Sequence, residues 1–259
     1  MALGARVEGV GLVGPGLPGW EASRAILAGT TPYTSAPTVI PIPDALPAVE
    51  RRRAGKSVKL ALAAGIAAAN ASGRAAKDLA AVFASSTGDG ENLHAICEAL
   101  ASDDRLISPT RFHNSVHNAP SGYWGIATGA TQAADSLAAF DASFSAGLVE
   151  AMGRLSAEPS QPVVLIAYDA PYPEPLHATR PIPDGFAAAL VLSSAQGSSI
   201  TVDTSPDKAT TLEDSLLESL RVAIPAARSL PLLALLAAGK PGRAVLEYLA
   251  GLSLAVTVS

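Results

Sequence analysis

The chain has 259 residues, 49% of them hydrophobic and only 5% aromatic, with a formal net charge of −5 and one cysteine. That charge argues against a nucleic-acid surface, and a lone thiol excludes an internal disulfide or a cysteine metal cluster. No run reaches the roughly 18 uninterrupted apolar residues of a membrane span, and the opening Met1 to Trp20 carries glycines and Glu8 where a secretory leader needs an apolar centre, so the expected location is cytoplasmic.

Arg6 to Val13 is valine-rich and partly alternating, which predicts a first strand; Gly14 to Gly19 breaks it, and Trp20 to Gly29 reads as a helix. Thr31 to Pro47 holds five prolines, so this long segment is extended or loop and carries a functional or interface role. Glu50 to Ser57 ends in the Gly-Lys-Ser of a phosphate-binding loop. Glu50 stands where that motif needs its first glycine, however, and no strand precedes it, so no nucleotide site is read here. Arg51, Arg52, Arg53, Lys56 and Lys59 are read first as the solvated start of a helix from Ser57 to Asn70. Their second reading is a basic patch on an acidic protein, suited to an acidic partner.

Leu79 to Ser86 predicts a strand running into a small-residue turn, Ser85 to Gly90, whose lone G-x-G is weak support for a phosphate site. Asn92 to Leu100 is a helical pattern in which Cys97 is expected as a core thiol and His94 as a packed residue. His113 and His117 are four apart, a spacing that would bind zinc on a helix. The flanking Pro109 and Pro120 predict an irregular loop instead, and with no third ligand nearby no metal site is read.

Ser136 to Phe140 reads as a buried strand and Ser143 to Leu155 as a helix, which leaves Asp141 at the corner between them. There it would cap the helix or pair with a cation, since a buried carboxylate without partners costs several kcal/mol. The N-cap is the preferred expectation. Pro162 to Asp169 predicts a buried parallel strand and Phe186 to Ser193 another, separated by the proline-studded loop Pro171 to Pro183. Gly197 to Val202 predicts hairpin or edge structure, and Leu212 to Ile224 an amphipathic helix whose Leu212, Leu216, Leu217, Leu220 and Ile224 face the core. Two short helices, Leu230 to Ala238 and Arg243 to Leu249, then precede a last strand, Leu252 to Val258. With no linker or repeat, residues 1–259 are expected to form one domain.

Two stretches carry a resemblance. Ala139 to Phe144 (AFDASF) is similar to the T-A-C-x-S-G corner of the β-ketoacyl synthases of the thiolase superfamily, with Asp141 at the nucleophilic cysteine, Ser143 kept and Phe144 at the glycine. Ser108 to Gly122 matches the spacing of the family's S-P-x-x-x-P-x-x-x-x-N-x-x-A-G loop. Ser108, Pro109, Asn118 and Gly122 are kept, and His113 replaces the second proline. Phe112 to Asn118 and Pro225 to Leu233 further resemble short ketosynthase-like chains that lack the cysteine and act as chain-length factors, as in aryl polyene pathways.

The resemblance implies a layered α/β fold of thiolase type, a central mixed, mainly parallel sheet with a buried helix, corresponding to the N-terminal half of a ketosynthase. It implies no cofactor. It implies a heterodimer with an active ketosynthase, with Phe112, His113, Asn114, Val116, His117, Asn118, Phe140 and Ser143 at the acyl tunnel or interface, and Tyr123 and Trp124 exposed on the same face. Acyl carrier protein would dock at the basic patch of Arg51, Arg52, Arg53 and Lys56, through the complex. The chain has no histidine after His177, whereas the family takes its decarboxylating histidines from its second half, so catalysis is not expected. The alternatives are an independent acyl hydrolase using Ser143 or Ser145, a malonyl decarboxylase using Asp141 or a loop histidine, and a homodimeric binding protein for acyl chains or carrier protein.

Overall fold

The computed structural model describes residues 2–259. In chain order its elements are β1 (Leu3–Val13), α1 (Trp20–Leu27), α2 (Ala48–Arg53), α3 (Lys56–Ser72), β2 (Ala80–Ala84), α4 (Gly90–Ala101), α5 (Pro109–His113), α6 (Ala119–Thr128) and β3 (Ala134–Leu137). There follow α7 (Ser143–Ala157), β4 (Val163–Asp169), α8 (Leu176–Thr179), β5 (Phe186–Ser193), β6 (Ser198–Ser205), α9 (Ser215–Ala223), α10 (Leu230–Ala238), β7 (Gly242–Leu249) and β8 (Leu252–Val258). The strands form one eight-stranded sheet in the order β3-β2-β4-β5-β1-β6-β8-β7.

The sheet is mixed, as expected, but its parallel part is confined to β3-β2-β4. β5, expected as a parallel strand, runs antiparallel to both β4 and β1, and every pairing beyond it is antiparallel. An apolar run shows that a strand is buried on both faces but carries no sign of its direction.

Each central strand feeds two apolar cores, because alternate side chains point to opposite faces. Val82, Ala84, Leu165, Ala167, Leu190 and Leu192 face α7, where Phe144, Leu148, Ala151, Met152 and Leu155 are buried. Ala81, Phe83, Val164, Ile166, Ala189 and Val191 face α3 with its Leu60, Ala64 and Ala68. The result is a three-layer arrangement of helix, sheet and helix. α3 approaches β1 so closely that a Cβ on Gly11 would lie 1.9 Å from the Ala64 carbonyl oxygen. A β-bulge between Val7 and Gly9 keeps Ala5, Val7, Val10 and Leu12 in one core although their numbers change parity. The Glu8 side chain, at that bulge, is buried and paired with Arg74.

Several expectations are corrected. Arg243 to Leu249 is a strand, because apolar residues at this short length fit either period and pairing with β8 decides. β6 is neither hairpin nor edge: it lies between β1 and β8. β3 starts two residues earlier than expected and is a half-exposed edge strand, paired only with β2. Proline at the first helical turn lets Pro109–His113 form a short helix inside the predicted loop. Cys97 is exposed on α4, and Leu216 on α9 is 50% exposed while Leu217, Leu220 and Ile224 are buried.

Candidate functional site

The corner between β3 and α7 is built around strained backbone. Phe140 has φ +53°, one of two positive-φ residues other than glycine among those described, and a 3-10 turn over Phe140–Ala142 leads straight into α7. Such conformations cost about 1–3 kcal/mol and persist only where the surroundings enforce them. Ser143 supplies part of that enforcement: its buried hydroxyl donates to the Phe140 carbonyl (2.7 Å) and accepts from the Ala139 N–H (3.0 Å). The packing of α7 fixes the other end.

Asp141 does not cap α7. The N-cap residue is Ala142, with no side-chain cap, so the preferred expectation is corrected and the cation pairing is what occurs. One Asp141 carboxylate oxygen accepts from Arg180 (2.5 Å), and the other from Arg228 (3.1 Å). Arg180 arrives from the loop after α8, Arg228 from the 3-10 turn Pro225–Ser229 before α10. The series continues through Glu247 on β7, 3.5 Å from Arg228, to Arg221 and Glu218 on α9. Six alternating charges thus tie the corner to four later segments. Hydrogen bonding from Arg221 holds the Glu218 carboxyl below its usual range. The Arg180 guanidinium also lies over the Phe140 ring, 3.7 Å from its centroid.

Phe112, Val116 and Phe140 are 67%, 53% and 63% exposed. They lie on the parts of the chain flanking α6 and the free edge of β3. Tyr123 and Trp124, expected on the same face, are instead only 2% exposed. They form the inward side of α6, with Trp124 edge-on to Phe83. The loop residues divide by role. Asn114 is buried, donating to the Arg53 carbonyl (2.9 Å) and accepting from the Tyr123 hydroxyl (3.2 Å). His117 reaches the Ser85 carbonyl (3.3 Å), whereas His113 is exposed beside Glu50, Arg53 and Ile126, so the two histidines serve different surroundings. Asn118 is exposed ahead of α6.

The basic stretch borders a cleft of roughly 600 Å³ shared with α4 and α5, lined by Arg52, Arg53, Lys56, Lys59 and Arg111 along with Asp89 and Glu91. Arg51 and Arg53 are paired with Asp44 (2.6 Å) and Glu50 (3.1 Å). Arg52 and Lys56 have no acidic partner among the described residues and give the rim its positive character.

Sequence reasoning missed Asp169, the last residue of β4. It is buried and accepts from the Ser86 N–H (2.9 Å), the Ser86 hydroxyl (2.7 Å), the Ser85 hydroxyl (3.3 Å) and the Ala226 N–H (2.8 Å). It joins the ends of β2 and β4 to the turn that carries Arg228. A lone acid closing an apolar strand was the available signal. Burial pushes its carboxyl up to about 6, and the hydrogen bonds from Ser86, Ala226 and Ser85 offset only part of that.

A carboxyl raised on folding binds its proton more tightly in the folded state. Its stabilising contribution is therefore full below about pH 4 and is lost as the pH rises through about 6. Between pH 5 and 7 this group is expected to subtract about 1 kcal/mol from stability. Asp169→Asn removes that dependence and sets an amide against the Ala226 N–H, lowering stability at pH 7 by about 1–3 kcal/mol. Urea unfolding of both proteins at the two pH values checks this; an equal pH dependence in the variant contradicts it.

The profile of the β-ketoacyl synthase N-terminal domain matches residues 22–243, most of the sequence, and the chain belongs to that family. Solved structures show the same fold. A chain from the complex of a ketosynthase, ApeO, with its chain length factor, ApeC, from Xenorhabdus doucetiae is 22% identical and superposes with a TM-score of 0.75, covering 98% of this chain and 99% of that one. A chain from AntDE:AntF, a type II polyketide acyl-carrier protein in complex with its ketosynthase, is 12% identical at a TM-score of 0.75 over 100% and 99%. A β-ketoacyl synthase from Burkholderia phymatum is 16% identical at 0.58, covering 92% of this chain and 71% of that one. No curated protein sequence matches. Among the described residues no helix is long and apolar enough to cross a membrane.

Proposed function

We propose that this chain is a non-catalytic, chain-length-factor-like subunit that pairs with an active β-ketoacyl–acyl carrier protein synthase and shapes its acyl tunnel, in polyketide, aryl polyene or fatty acid synthesis. One observation carries the reading. The residue at the position that resembles the family's nucleophilic cysteine, Asp141, is a carboxylate committed to Arg180 and Arg228. A carboxylate so engaged is a weak nucleophile, and acylating it would form a reactive anhydride while stranding two guanidiniums. The exposed Phe112, Val116 and Phe140 support a covered face in the working protein. One sheet running through both halves of the chain supports a single unit over 1–259. The hydrolase reading loses support because Ser143 and Ser145 are both buried and the Ser143 hydroxyl is occupied at the corner.

The test is light scattering on this chain alone and co-expressed with a ketosynthase from the same gene neighbourhood, followed by an elongation assay. A one-to-one complex whose activity or product length depends on this chain is the expected result. A homodimer indifferent to the ketosynthase would instead favour the acyl-binding alternative.

The basic cleft supports docking of an acidic carrier protein to the assembled pair. Arg52→Glu combined with Lys56→Glu is expected to weaken carrier binding at least about tenfold at low salt, with the difference shrinking as salt screens both proteins. Titration calorimetry at two ionic strengths measures it, and an unchanged affinity would move the docking surface elsewhere.

A further inference from the structure

We propose that the proline-rich segment before α2, together with the cations that follow it, forms a peripheral membrane site that rests on the surface of a bilayer rich in anionic lipid. The inference goes beyond the pairing reading and needs only this chain. From Ala36 to Val49 every residue except Thr38 and Asp44 is apolar or proline, and Asp44 is paired with Arg51. Most of the stretch faces solvent. Val39 and Ile42 are 74% and 70% exposed, and Ala36, Pro37, Pro41, Ala45, Pro47, Ala48 and Val49 are exposed as well. Single exposed apolar side chains need no explanation, but a run of this length does.

The segment is anchored to the body of the protein. Thr38 donates from its N–H to an Asp184 carboxylate oxygen and from its hydroxyl to the Gly185 carbonyl, both at 2.7 Å. Pro43 and Leu46 are buried. Between these anchors Val39 and Ile42 are turned outward, and side chains ordered in advance lose little freedom on entering a partner.

The chemistry of that partner follows from the charges around them. Ile42 lines a groove of roughly 550 Å³ with Pro41 and Ala48, and Arg51, Arg52 and Lys59 line the same groove. Arg52 and Lys59 have no ion-pair partner among the described residues, on a chain whose net charge is −5. Projecting apolar side chains edged by free cations suit a bilayer interface. The apolar groups enter the boundary between headgroups and acyl chains, while the cations meet lipid phosphates. An acidic protein surface would answer the cations but not Val39 and Ile42. A domain that reads proline motifs needs prolines three apart, as in P-x-x-P, whereas Pro37, Pro41, Pro43 and Pro47 stand four, two and four apart.

The test is flotation of the full chain with phosphatidylcholine vesicles, alone or containing about one third phosphatidylglycerol. Binding to the anionic vesicles is expected to be at least about tenfold tighter than to the neutral ones. It should weaken at about 0.5 M salt without vanishing, because salt screens the cations but not apolar insertion. The double variants Val39→Asp/Ile42→Asp and Arg52→Glu/Lys59→Glu are each expected to lower partitioning at least about tenfold. The first changes only exposed side chains, so thermal melting of the chain should be unaltered. Ile42→Trp adds a reporter beside Trp20 and Trp124, and its emission is expected to shift to the blue only with anionic vesicles. That variant keeps the test available if a double variant does not fold. No flotation, equal binding to both vesicle types, or binding unchanged in Val39→Asp/Ile42→Asp overturns the proposal. Self-association without lipid that the same variant abolishes would also overturn it, by assigning the face to a second copy of the chain.

Discussion

Gly11→Ala is expected to lower stability by about 3 kcal/mol or more. A Cβ at this position would lie 1.9 Å from the Ala64 carbonyl oxygen and 2.9 Å from the Ala68 nitrogen. Both are backbone atoms of α3, so no side-chain rotation can make room. The helix must lift from β1, and because α3 also packs on β4 and β5, the whole α3-side core would loosen with it. Overpacking typically costs 1–3 kcal/mol, and interiors close-packed against backbone lie at the upper end. Gly4→Ala on the same strand, where nothing lies within 4 Å, is the control and is expected to be near neutral. Denaturant unfolding of the two variants measures the difference; equal stabilities would mean that the close approach of α3 to β1 is not needed.

Phe112→Asp is expected to separate assembly from folding. The side chain is 67% exposed in the isolated chain, so its replacement changes folding stability by no more than about 0.5 kcal/mol. Buried in a heterodimer, however, the aspartate would lose an aromatic anchor and desolvate a charge. Truncated interface anchors cost about 2–4 kcal/mol, and an unpaired charge adds to that, so affinity for the ketosynthase should fall at least about a hundredfold. Thermal melting of the chain alone, set against sedimentation of the mixture, reads both quantities. A variant that still binds at wild-type affinity would place the interface away from α5.

Much of the fold was legible because it rests on local patterns. The spans Leu252 to Val258 and Leu230 to Ala238 coincide with β8 and α10, and β4 and β5 fell on uninterrupted apolar runs whose burial follows from composition alone. The corner around Asp141 was legible as well, since a strand, a polar break and a helix must leave the intervening residue at a helix start. What Asp141 does there was not legible. Its partners are 39 and 87 residues away, and nothing local distinguishes a carboxylate that caps a helix from one claimed by two distant arginines. The inward turn of Tyr123 and Trp124 was hidden for a related reason: α6 is apolar on most of its surface, and which side faces inward depends on where β2 and α3 lie.

The sequence by itself determined where most strands and helices run, the family, and the absence of a thiol at the corner, because each depends on residues close together in the chain. Tertiary structure alone decided strand direction, the bulge that returns β1 to its core, and the ion-pair series from Arg180 to Glu218, because each is fixed by pairing between segments whose separation along the chain carries no information about their distance in space.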